Sequence, residues 1–139
     1  MYELIYQTLV NSSKMKIDFD RNVDGVNRIH AYSAGGIVIA DTIYDSSLIL
    51  SSNTIIGNWH PENIFQLTPD DLDQIIELNP ELVLLGTGAK LLFPEHTITM
   101  AFYSRNIGFE VMDTGAACRT FNVLLAEERR VFAALIAVD

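Results

Sequence analysis

The sequence is nearly free of cysteine. Cys118 is the only one in 139 residues, which excludes an intramolecular disulfide and any multi-cysteine metal site. Positive charge is also scarce: 9 Lys and Arg stand against 18 Asp and Glu, a net charge of −9. That balance argues against nucleic acid as a partner, because phosphate binding needs a basic surface, and equally against an anionic membrane surface. Long apolar runs are missing. The longest, residues 131 to 138, is less than half of the roughly 20 residues a membrane span requires. The start, Met1-Tyr2-Glu3-Leu4, shows neither a charged segment followed by an apolar one nor the Arg-rich, acid-poor character of a transit peptide. These absences lead to the expectation of a cytoplasmic protein without membrane insertion. No polar low-complexity tract, internal repeat or linker breaks the chain, so residues 1 to 139 read as one domain with a real core.

What is present divides into a β-rich front and an α/β rear. Residues 1 to 25 are partly irregular: 2–6 suits a strand or a helical turn, 11–14 a turn, 15–19 a strand with one wet face, and 20–25 a loop. From 26 to 59 the Ile, Val and Thr content favours strands, at 29–32, 36–40, 46–51 and 54–56, with Ile43 and Tyr44 extending one more. Thr68-Pro69-Asp70-Asp71 then predicts a helix start. Thr68 caps, Pro69 fits the first helical position and the acids complement the positive helix end. Asn79-Pro80 ends that helix. The apolar run 81–85 reads as a strand covered on both faces. After it come a connection over 89–94, a helix over 97–106 and a strand over 109–112, together the size of a parallel strand–crossover–strand unit. Ala117, Phe121, Leu124 and Leu125 share one helical stripe. Residues 127 to 130 form a charged break, most simply a solvated turn, and 131–138 a last strand that joins the sheet.

Two loops carry the candidate site. Gly86-Thr87-Gly88 follows a buried strand and resembles the opening of a dinucleotide fingerprint, but Leu91 stands where the third glycine belongs. Asp113-Thr114-Gly115-Ala116-Ala117 opens a helix whose small residues leave the first-turn amides bare, with Arg119 in reach. With the two strands parallel, both loops fall on one edge. Gly86, Thr87, Gly88, Asp113, Thr114 and Arg119 then form a pocket or partner site, suited to a small anion or a partner's carboxylate. The same residues have a plainer use: the glycines allow a close helix crossing, Asp113 or Thr114 caps the helix, and Arg119 pairs with an acid. Cys118 shares a helical face with Phe121 and Leu125, which suits a buried, inert thiol. His30, His60 and His96 lack metal-ligand spacing, so neither a metal nor a cofactor is expected. Trp59 reads as a core or edge anchor. No catalytic set emerges, and the chain reads first as a non-catalytic accessory domain; the alternative is an enzyme or sensor that uses the pocket of the Gly86–Gly88 loop and the Asp113–Arg119 helix start for a small anionic ligand.

Three stretches resemble a known family: residues 80–88 (Pro-Glu-Leu-Val-Leu-Leu-Gly-Thr-Gly), residues 108–122 from Gly108 through Asp113-Thr114-Gly115 to Asn122, and Arg129-Arg130-Val131. The chain, over residues 26 to 137, is similar to the small uncharacterised domains of Mth938-like fold that include the mitochondrial complex I (NADH:ubiquinone oxidoreductase) assembly factor 3. The resemblance implies a single three-layer α/β domain with a central mixed sheet and no established enzyme activity. It also implies a protein partner, with a respiratory-complex component as the example. A sheet edge in the β-rich front is suited to pairing with a second copy. The sequence departs from the family at Phe121, where a Tyr is common, and at Glu128, where a Gly is common.

Overall fold

The computed structural model describes residues 25 to 138; the readings at 2–6, 11–14 and 15–19, and most of the 20–25 loop, lie outside the described residues. Two sheets form. The first is an antiparallel meander of β1 (Ile29–Ser33), β2 (Gly36–Ile39) and β3 (Thr42–Tyr44). Ser33 faces Gly36 in register, so Ala34 and Gly35 make a two-residue turn. Gly36 has φ 135°, and a Cβ there would lie 2.7 Å from the Tyr44 carbonyl oxygen, so only glycine fits.

The second sheet has five strands in the order β5-β4-β8-β6-β7. They are β4 (Leu48–Leu50), β5 (Ile55–Ile56), β6 (Leu82–Gly86), β7 (Gly108–Met112) and β8 (Val131–Leu135). β8 is parallel to β6 and antiparallel to β4, which makes the sheet mixed. β6 also pairs in parallel with β7. Its near-continuous apolar sequence matches burial on both faces: Val83 and Leu85 enter one core, Leu84 the other.

The predicted helix over 68–79 is replaced by a 3-10 turn, Pro69–Leu72, and a single α-turn, α1 (Asp73–Glu77). The side chain of Asp71 tightens this start by accepting from the Thr68 backbone amide (2.9 Å) and hydroxyl (3.0 Å). Asn79, at φ 55°, and Pro80 stop the segment. Helix α2 (His96–Tyr103) links β6 to β7, and α3 (Thr114–Ala126) links β7 to β8. The first crossover moves outward and the second returns across β6. Two crossovers of one hand that move in opposite directions must lie on opposite faces, and these helices do.

The result is three layers. On one face of the five-stranded sheet, α1, α2 and the turns pack Trp59, Leu72, Ile75, Ile98 and Phe102 against Val83, Leu85 and Phe109. Phe102 and Phe109 stack with centroids 4.5 Å apart. On the other face, Ala117, Cys118, Phe121 and Leu125 of α3 and the meander residues Ile29, Ile37 and Ile39 cover Leu48, Leu84 and Leu135. Each large side chain buried this way stabilises by about 1.5–3 kcal/mol relative to exposure. Asn122 ties meander to helix. Its carboxamide accepts from the Ile29 amide (3.0 Å) and donates to the Ile29 carbonyl (2.8 Å), as a neighbouring strand would.

Candidate functional site

The carboxyl ends of β6, β7 and β8 share one rim, where the two loops singled out by sequence come together. Thr87 donates its amide to the Met112 carbonyl (2.9 Å), and Thr114 donates its amide to the Gly88 carbonyl (2.9 Å). The Thr114 hydroxyl accepts from the Gly88 amide (2.8 Å) and donates to the Ile136 carbonyl (2.7 Å), fully buried. One hydroxyl thus joins the ends of all three parallel strands. Gly86 makes room for it: a Cβ there would lie 2.9 Å from both the Cα and the hydroxyl oxygen of Thr114. A dinucleotide fingerprint would open a helix right after its glycines; here α2 begins only at His96.

The helix start is closed by its own residues. The Asp113 carboxylate accepts from the Ala116 amide (2.8 Å), an N-cap bond. Arg119 is exposed, donates from Nη1 to the Tyr32 hydroxyl (2.5 Å), and holds its guanidinium 5.9 Å from the centre of that ring. That hydrogen bond, the charge interaction with the same phenol and nearby Asp113 raise the Arg119 pKa above its ordinary value. Gly115 lets Tyr32 approach, since a Cβ would lie 3.1 Å from its ring. Tyr32 and Asn122 were not legible as site partners, because nothing local in sequence announces a contact between β1 and α3. Cys118 is buried, and desolvation pushes its thiol up to about 12, outweighing the lowering effect of Arg119. At the far end of α3, Glu128 takes φ 60°. This is a left-handed position, of the kind that favours glycine after a helix end.

Open space lies on the other side of the 86–88 loop. A cavity of about 190 Å³ is bounded by Glu62, Ile64, Gly88, Lys90, Leu92 and Ile136, among others. The Thr87 hydroxyl shapes its wall by donating to the Lys90 carbonyl (2.6 Å) and accepting from the Leu92 amide (3.1 Å). A second cavity, about 370 Å³, is bounded by Asp45, Ser46, Ser47, Asn58, Trp59 and His60, and shares Glu62 and Ala137 with the first. Of the six residues singled out by sequence, Thr87 and Gly88 line this space; Gly86, Asp113, Thr114 and Arg119 do not. Trp59 is buried and donates its indole N–H to the Asp71 carbonyl (3.0 Å). His60 Nδ1 lies 3.2 Å from the Asp71 carboxylate. No group of three or more His, Cys, Asp or Glu able to hold a metal ion occurs among the described residues.

Fold and rim define a class: three-layer α/β domains with a mixed central sheet and a shallow groove at the ends of the parallel strands. The chain belongs to the family of proteins of unknown function DUF498/DUF598, whose model matches residues 29–136. It is 30% identical over 106 residues to the 13 kDa major membrane protein of Francisella tularensis, covering 76% of this chain and 86% of that protein. It is 33% identical over 110 residues to the mouse (Mus musculus) NADH dehydrogenase [ubiquinone] 1 alpha subcomplex assembly factor 3, covering 78% of this chain and 59% of that protein. The chain therefore spans less than two thirds of that relative. Among solved structures, a Mth938-like domain from Bordetella pertussis superposes with a TM-score of 0.71 at 25% identity, covering 80% of this chain and 85% of that one. A protein described as an outer membrane protein from Bartonella henselae superposes with a TM-score of 0.72 at 36% identity, covering 83% and 98%. Among the described residues no helix is long and apolar enough to cross a membrane.

Proposed function

We propose that this chain is a non-catalytic accessory protein that binds a protein partner during assembly of a respiratory complex. The observation that carries the reading is the 33% identity to the mouse assembly factor over 78% of this chain. Two features support it. The thiol of Cys118 is buried and held protonated, and the Gly88 and Ala116 amides at the two loops are taken by Thr114 and Asp113 rather than presented to a small anion. In this reading Gly86, Thr87, Gly88, Asp113, Thr114 and Arg119 build and stiffen the rim against which the partner sits, in the cytoplasm and without nucleic acid. Deletion in the source cell followed by native-gel analysis of complex I tests it. Loss of assembled complex, restored by the wild-type chain, is the expected result; unchanged complex I in the deletion strain refutes it.

A further inference from the structure

The groove at the rim has two unlike halves that meet at Glu62 and Ala137. The larger half is polar and holds the carboxylates of Asp45 and Glu62, neither of which has a side-chain partner among the described residues. The smaller half is apolar, built by Ile64, Ala89, Leu92, Ile136 and Ala137, with Lys90 at its edge. Leu92, which lines it, is itself 38% exposed, and large apolar residues next to its lining residues in sequence are exposed as well. Phe65, next to lining Ile64, is 86% exposed; Phe93, next to lining Leu92, is 76% exposed; Leu91 is half exposed. The Leu91–Phe93 tip is also held: the buried Thr87 hydroxyl bonds the backbone on both sides of Leu91, so its shape is set before any partner arrives.

Resting on the protein-binding reading above, we propose that this two-part groove takes an extended segment of a partner protein, a basic side chain against Asp45 and Glu62 and a large apolar side chain between Ile64 and Leu92. Charge selects this occupant. A second copy would bring another −9 against the same rim, and an anionic lipid surface would be repelled by it. A basic-and-apolar protein segment is attracted by the carboxylates and covers the apolar half with its exposed Leu92.

The test uses the full chain and three fluorescein-labelled hexapeptides, Gly-Arg-Arg-Leu-Leu-Gly, Gly-Glu-Glu-Leu-Leu-Gly and Gly-Arg-Arg-Ser-Ser-Gly. Anisotropy is read together with amide shifts in two-dimensional NMR. The first peptide should bind saturably and move the amides of Glu62, Lys90, Leu92 and Ala137, with the other two about tenfold weaker. The Asp45→Asn/Glu62→Gln double variant should weaken it about fivefold, and Leu92→Asp should remove the specific shifts, with thermal melts showing that both variants fold. No saturable binding, equal binding of the Glu peptide, or shifts away from the groove overturns the proposal. The same variants, returned to the deletion strain, separate the two readings. Full restoration of complex I by Leu92→Asp would remove the groove and leave the assembly role; an unaffected deletion strain would remove the assembly role and leave the peptide data to judge the groove.

Discussion

Replacing Thr114 by Val keeps the shape of the side chain and deletes one hydroxyl. In the wild type that hydroxyl accepts from the Gly88 amide and donates to the Ile136 carbonyl, in a site with no exposure to solvent. Both backbone groups lose their partner in the variant. An unsatisfied buried polar group costs about 1–3 kcal/mol, so the pair should cost about 2–6 kcal/mol. For a domain of this size that is a fall in Tm of roughly 8–24 °C. Thr114→Ser retains both bonds and loses one methyl group, worth about 1 kcal/mol. Urea unfolding followed by Trp59 fluorescence gives both numbers, with the slope unchanged if only stability has moved. The reasoning is refuted if Thr114→Val lies within about 0.5 kcal/mol of wild type, or if Ser costs as much as Val.

Glu128→Gly should stabilise the chain by about 0.5–1 kcal/mol, because a non-glycine residue at φ 60° is strained there; urea unfolding that shows a loss instead would contradict this. Cys118 should resist a thiol reagent at pH 8 in the native state and react at once in denaturant, since burial lifts its pKa to about 12; rapid native labelling would count against it. The Glu81 carboxyl is held below the usual carboxylate range by its hydrogen bond to Arg129 (3.0 Å), then by the Arg130 amide. Its folded pKa is depressed, so its contribution is present above the unfolded pKa and lost as pH falls through the folded value. An NMR titration should show a low midpoint that rises toward the ordinary value in Arg129→Ala; no movement would break the assignment.

Much of the fold was legible because it is written in local pattern. The double-faced apolar run became β6, the alternation of turns and β-branched residues became β1 to β5, and the stripe at Ala117, Phe121 and Leu125 became the buried face of α3. The helix expected over 68–79 shrank because Asp71 draws the chain into a tighter first turn before Asn79 and Pro80 end it. The rim was legible in part. Parallel pairing of β6 and β7 follows from their spacing, and it brings the 86–88 and 113–115 loops together. What could not be read was how the groups there spend their hydrogen bonds. Thr114 reaching Ile136 and Arg119 reaching Tyr32 are contacts between segments far apart in the chain. The groove is not legible in sequence because residues 89–94 look like a connection, and nothing local shows that Lys90 and Leu92 meet Ile64 and Ile136.

The position of β8 bears on how the chain is made. It lies between β4 and β6, yet it is the last of the described strands to leave the ribosome. Until Val131 to Leu135 emerge, the β4–β5 hairpin and the β6–β7 pair each present an unpaired flank, the kind of surface that invites intermolecular pairing. The nascent protein therefore carries two half-sheets awaiting one closing zipper, and a chain cut short ahead of Val131 would lack the middle strand of its larger sheet.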